Sequence, residues 1–153
     1  MNHRPAPFKY RLAAMLKVDQ WEGRLLGAEL RRARIVLEEK QKLQGETLQR
    51  IQSAEAEMRD LHRADVAIPL ERRQLLSAYL REQYSLATVR ADEASKAEKM
   101  FEHIMTQRQM KQQKIRALEQ HEDRERGRHD AEETRAGLRE ADELWLNTHT
   151  ARK

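Results

Sequence analysis

His129 and Glu133 stand four residues apart in a helix-forming stretch, so they share a helix face and could supply part of a metal site. A metal needs three or four ligands, and the remaining histidines (His3, His62, His103, His121 and His149) do not cluster with them. Tyr79 and Tyr84 lie near Arg72, Arg73 and Arg81, a set whose rings and guanidinium groups could stack on nucleic-acid bases. The same pattern also describes aromatics half-exposed on a coil face. Gly23 and Gly27 make a GxxxG pair, but that motif carries meaning in an apolar membrane helix and this stretch is charged. No GxxxxGK[ST] phosphate loop occurs, and the chain has no cysteine, which removes disulfides, thiol catalysis and zinc fingers. No catalytic constellation emerges, so the expectation is a protein that is not an enzyme and uses no metal or other cofactor.

The elements that would position these residues are long helices. Of the 153 residues, 37% are charged and 5% aromatic, with Pro and Gly scarce at 3 and 5. The mean hydropathy is −0.98, too polar for a thick core. Disorder competes as a reading of such a composition, but the apolar residues recur at threes and fours, the mark of a coiled coil. From Phe8 to Ile68 and from Leu70 to Lys153 there is no proline. Between those runs only Ala64-Asp65-Val66-Ala67-Ile68-Pro69 breaks the helical vocabulary. His62 and Arg63 suit the negative end of one helix dipole, and Pro69 and Glu71 the first turn of the next.

The predicted fold is therefore all-α, a long antiparallel two-helix coiled-coil hairpin forming one domain. Its parts are a flexible N-terminus over 1–7, helix 1 over 8–62, a turn over 63–69, helix 2 over 70–147 and a flexible C-terminus over 148–153. The helix 1 seam reads Leu12, Leu16, Leu26, Leu30, Ala33 and Leu37, then Leu48, Ile51, Ala54, Met58 and Leu61. Residues 38–47 interrupt it with polar side chains and Gly45, either a stutter or local kink or a polar patch kept for a partner. The helix 2 seam reads Leu76, Leu80, Ala87, Ala91, Ala94, Ala97, Phe101, Met105, Gln112, Ile115 and Leu118, its alanines allowing close approach. Pairing about Asp65 sets Leu61 opposite Leu70 and Leu48 opposite Tyr84, and helix 1 runs out opposite roughly Arg124. At about 1.5 Å per residue the hairpin extends on the order of 80 Å. Beyond about residue 120 helix 2 overhangs as a polar segment ending in Leu138, Leu144, Trp145 and Leu146, either a lone helix held by Glu–Arg pairs or a tail.

The formal net charge is only +4, and most Arg and Lys sit within a turn of an acid, so a dedicated nucleic-acid face is not expected. Nothing approaches the ~20 apolar residues of a membrane span, and the polar start Met1-Asn2-His3-Arg4 lacks the features of a secretory signal. Phe8 to Val18 mixes basic and apolar residues, as a membrane-surface helix or a helix docking on a partner protein does. The partner is the favoured reading, because the C-terminal apolar cluster lies at the same end.

Three segments carry a family resemblance. Phe8-Lys9-Tyr10-Arg11-Leu12-Ala13-Ala14-Met15-Leu16 is similar to the start of FliJ proteins, and Arg24-Leu25-Leu26-Gly27-Ala28-Glu29-Leu30-Arg31-Arg32 to their first-helix segment. Glu140-Ala141-Asp142-Glu143-Leu144-Trp145-Leu146 is similar to the acidic–apolar ending of the FliJ/YscO family. The chain thus resembles that family, the coiled-coil stalk proteins of flagellar and type III export, over its whole length. The resemblance implies a cytoplasmic protein, peripheral at the export apparatus of the inner membrane. Its implied partners are the hexameric export ATPase, the membrane export gate and export chaperones, with no nucleic acid and no small-molecule substrate. The gate contact it implies falls on Gln44, Leu48, Ile51, Leu80, Tyr84 and Ala87, although tyrosines are missing on the helix 1 side. Leu12, Leu16, Leu144 and Trp145 are the expected ATPase-facing end. An injectisome stalk of the same family and a generic coiled-coil scaffold or adaptor are the alternative readings, and a nucleic-acid-binding coil ranks behind them.

Overall fold

The computed structural model describes residues 7–63 and 70–150, with the side chain of Thr150 left aside. The expected turn over 63–69 lies, apart from Arg63, outside the described residues, as do residues 1–6 and 151–153. The fold is all-α: helix α1 spans Ala13–Arg63 and helix α2 spans Leu70–Thr150. Strong helix formers and the absence of internal proline sustain both. His62 and Arg63 close α1 and Glu71 opens α2, each matched to its dipole end.

The chain divides into two compact units, one of residues 1–24 with 109–153 and one of residues 25–108. In a two-helix packing each turn meets only the turns facing it, so contacts stay local.

In the 25–108 unit the helices pair antiparallel: Lys40 reaches Glu93, Glu55 meets Tyr84, and His62 meets Arg73. The α1 residues turned inward are Leu26, Leu30, Ala33, Leu37, Lys40, Gln44, Thr47, Ile51, Ala54, Met58 and Leu61, an unbroken alternation of four and three. The expected break over 38–47 is therefore filled, not skipped. Leu48 is a correction: it is 47% exposed, whereas Thr47 beside it is 2% exposed. Only residue 47 keeps the alternation with Ile51 and Ala54. The Thr47 hydroxyl donates to the Leu43 carbonyl at 2.9 Å, which lets a polar side chain sit there. On α2 the inward set is Leu76, Leu80, Gln83, Ala87, Arg90, Ala94, Ala97, Phe101, Ile104 and Arg108, again at fours and threes. Ala91 and Met105, expected in this seam, are exposed, and Arg90 and Ile104 take their places. Gly27 is buried, and a Cβ there would make ordinary contact with Arg108 Nε at 3.8 Å.

In the other unit Leu12, Leu16, Asp19 and Gly23 face Lys111, Ile115, Leu118 and Glu122 with the same spacing, and Lys111 replaces the expected Gln112. Gly23 has a packing role that its charged surroundings concealed: a Cβ would come 3.2 Å from Ile115 Cδ1. Helix α1 starts at Ala13 rather than residue 8, since Phe8 and Tyr10 both serve α2. Tyr10 Oη donates to the Leu118 carbonyl at 3.1 Å and lies 3.1 Å from His121 Nδ1. The Phe8 ring meets His129 edge-on at 5.6 Å, with the Arg126 guanidinium 5.6 Å from its centroid. Residues two apart point the same way in extended backbone but about 200° apart on a helix, so a helical start would release one ring. Burial, then Glu122 and Glu125, raise the Tyr10 pKa.

Every residue from 134 to 149 is exposed, so α2 continues there without a facing helix among the described residues. It stays helical to Thr150, past the expected end at 147. Thr148 Oγ1 donates to the Leu144 and Trp145 carbonyls at 3.0 and 2.9 Å, and His149 stacks on Trp145 at 4.3 Å.

Gly45 faces outward, and a Cβ there meets no atom within 4 Å. Gly45→Ala is expected to stabilise the 25–108 unit by about 1 kcal/mol, whereas Gly23→Ala brings no gain because of Ile115. Urea unfolding followed by circular dichroism tests the pair; a destabilised Gly45→Ala variant would contradict this seam.

Candidate functional site

The densest chemistry in the 1–24/109–153 unit is a charge cluster inside its seam. Asp19 occupies the inward position between Leu16 and Gly23 and is 3% exposed. Lys111 Nζ donates to Asp19 Oδ1 at 2.8 Å and to Glu22 Oε2 at 2.6 Å. Lys114 Nζ lies 2.9 Å from Asp19 Oδ2, so both carboxylate oxygens face a cation. The Lys111 and Lys114 hydrogen bonds hold Asp19 below the usual carboxylate range, outweighing its burial. Asp19 and Glu22 raise Lys111 in return. Asp19 is not among the expected site residues, yet its place in the Leu12–Leu16–Asp19–Gly23 spacing is the signal that marks it.

A parallel arrangement exists in the 25–108 unit. Two seam cations, Lys40 and Arg90, converge on Glu93 Oε2 at 3.2 and 2.9 Å. They depress the Glu93 pKa.

The six residues of the expected gate contact all lie in the 25–108 unit, in two different settings. Leu48 and Tyr84 are exposed; Gln44, Leu80 and Ala87 are half-buried. Ile51 is buried and occupied by the seam, so it presents no surface. Tyr84 donates its hydroxyl to Glu55, a turn or two nearer the start of α2 than the expected neighbour Leu48. Long helical side chains lean toward their own N-terminus, which accounts for that offset. The Glu55 bond, then burial, raise the Tyr84 pKa. The arginines near these tyrosines are engaged as well: Arg72 with Glu57 at 2.8 Å and Arg73 with His62 Nε2 at 2.8 Å. Along α1 from Glu46 to Glu57, with Leu76 and Tyr79, runs an open, largely polar cleft of about 570 Å³.

The expected ATPase-facing end is not one patch. Leu16 is buried in the seam and Leu12 half-buried, whereas Leu144 and Trp145 are exposed far along α2. Leu144 stands more than seven turns beyond Leu118, on the order of 40 Å. The two pairs separate because α2 outruns the N-terminal segment, whose Phe8 reaches only His129.

His129, Asp130 and Glu133 place candidate donor atoms within 4.8 Å of one another. Asp130 Oδ1 approaches Nδ1 and Glu133 Oε1 approaches Nε2, each at 3.7 Å. Each carboxylate thus approaches a different ring nitrogen of His129, and exposed acidic groups commonly gather in this way without an ion.

No helix among the described residues is long and apolar enough to cross a membrane. No protein-family model matches the sequence, no curated protein matches it, and no solved structure matches the fold.

Because the Asp19 pKa is depressed in the folded state, its stabilising effect is present above the unfolded value of about 4 and is lost as pH falls through the lower folded value. Asp19→Asn is therefore expected to destabilise the protein at pH 7 and to flatten the acid limb below about pH 4. Thermal unfolding at pH 7, 4 and 3 checks this; an unchanged acid limb would place the stability loss on other carboxylates.

Proposed function

We propose that this chain is a non-enzymatic coiled-coil stalk of a flagellar or type III protein export apparatus, acting with the export ATPase and the export gate in the cytoplasm at the membrane. The observation that carries the reading is the pairing of a charged, polar-laced two-helix seam with a lone α2 extension that exposes Leu144 and Trp145. Such an arrangement offers elongated helical surface and an apolar docking helix. Surface ion pairs such as Arg34–Glu38 at 2.9 Å are worth about 0–1 kcal/mol each, which suits weak, exchangeable contact with a ring. The three segments similar to the FliJ/YscO family support the assignment to an export system.

Burial narrows the contact residues. In the ATPase-facing set Leu144 and Trp145 are the candidates, while Leu12 and Leu16 hold the seam. In the gate-facing set Leu48 and Tyr84 present the surface, flanked by Gln44, Leu80 and Ala87.

Removal of residues 138–153 is expected to abolish stimulation of the export ATPase while leaving most helicity; undiminished stimulation would refute the ATPase contact. Leu48→Asp with Tyr84→Ala is expected to lower affinity for the cytoplasmic part of the gate protein at least tenfold in a pull-down titration. Equal retention of the wild type and this variant would remove those residues from the contact.

A further inference from the structure

Two histidines make contacts whose partners dictate where the ring carries its proton. In the 25–108 unit His62 Nδ1 lies 2.6 Å from the Met58 carbonyl, and His62 Nε2 lies 2.8 Å from Arg73 Nη2 on α2. A carbonyl oxygen only accepts and a guanidinium only donates. Both contacts are hydrogen bonds only when Nδ1 holds the proton and Nε2 presents its lone pair. His62 is therefore neutral in this arrangement, as the Nδ1–H tautomer. In the 1–24/109–153 unit the Tyr10 hydroxyl gives its one proton to the Leu118 carbonyl, so His121 Nδ1 must be the donor to Tyr10 Oη. That second contact survives protonation, because Nδ1 remains a donor in an imidazolium. The first does not.

We propose that the His62–Arg73 contact is a proton-operated latch on the first turn of α2, closed while His62 is neutral and released when it is protonated. Protonation places a hydrogen on Nε2 and aims it at the guanidinium, which turns a hydrogen bond into the repulsion of two adjacent cations. The surroundings decide which partner gives way. Met58 lies near the C-terminal end of α1, where the helix dipole favours a cation, and its carbonyl keeps the Nδ1–H bond in either state. The imidazolium thus stays on α1 and Arg73 leaves.

No nearby acid among the described residues cancels that repulsion. On α1, Arg59 stands three residues before His62 on the same side, Arg63 follows directly, and Asp60 is turned about 200° away. Glu57 is engaged by Arg72 at 2.8 Å. On α2, Arg72 and Glu71 flank Arg73, and Glu71 is likewise turned about 200° from it. Release frees the start of α2, while the Arg72–Glu57 pair and the apolar seam keep the two helices together. Imidazoles change charge between about pH 5 and pH 8, so the latch answers to modest acidification. The inference concerns the chain's own conformation and does not rest on the stalk reading.

The test is a double-mutant cycle on the full chain, with His62→Ala and Arg73→Ala alone and together, by urea unfolding at about pH 8 and about pH 5.5. At the higher pH the two residues are expected to couple by about two- to fivefold in the folded-to-unfolded ratio, the range of exposed side-chain pairs. At the lower pH that coupling is expected to vanish or change sign. His62→Gln offers a side-chain carbonyl that accepts from Arg73 at any pH, so its coupling to Arg73 is expected to persist at both. Long-range proton–nitrogen NMR spectra read the ring directly, and at the higher pH both His62 and His121 are expected as the Nδ1–H tautomer. Coupling that is equal at the two pH values, coupling absent at both, or His62 as the Nε2–H tautomer overturns the proposal.

Discussion

Both helices must keep one narrow stripe turned toward the other, and a stripe returns to the same side only if its members step by four and three. That constraint acts on position before it acts on polarity. Thr47, Lys40, Gln44, Gln83, Arg90 and Arg108 sit inward because of where they fall, not because they are apolar. A two-helix packing covers each seam residue from one side only, so long polar side chains can reach out past the seam to partners at its edge. Lys40 and Arg90 do so at Glu93. Thr47 cannot, and turns its hydroxyl back onto its own helix.

Such a seam gains specificity from its polar groups. An apolar repeat tolerates a slide of one heptad, because successive heptads look alike. A slide of α1 in the 1–24/109–153 unit would carry Asp19 away from Lys111 and Lys114 and leave a buried carboxylate without a cation, a strongly unfavourable state. The Gly23–Ile115 approach and the Tyr10–Leu118 hydrogen bond reinforce the same register by shape and by direction. Register is held by a few particular contacts distributed along an otherwise forgiving stripe.

What remains on the outside is what is available to partners. Because the seam consumes Leu16 and Ile51, the large apolar side chains left exposed lie off it: Leu48 and Tyr84, Val18 and Trp21, and the α2 segment around Trp145. The aromatics at Phe8 and Tyr10 are already spent on His129 and Leu118. A resemblance resting on the Phe8–Leu16 segment thus rests on residues whose observed contacts lie within the chain.

The sequence by itself determined the elements: two proline-free runs of strong helix formers, an antiparallel pairing and the overhang of α2 can be read from composition and spacing, since helix propensity and periodicity are local properties. It also determined nearly all of the apolar seam, but it misassigned Leu48, Ala91, Met105 and Gln112 and supplied a break where there is none. A hydrophobic residue adjacent to the seam and one within it look alike to a reader counting threes and fours. Only the tertiary structure decided which of two neighbours turns inward, because that choice depends on the facing helix: Lys111 wins over Gln112 when Asp19 waits across the seam, and Gly23 matters when Ile115 needs its space. The N-terminal start was decided in the same way. Phe8 and Tyr10 precede the helix, and both rings make contacts with α2 there, a long-range gain that local propensity does not register.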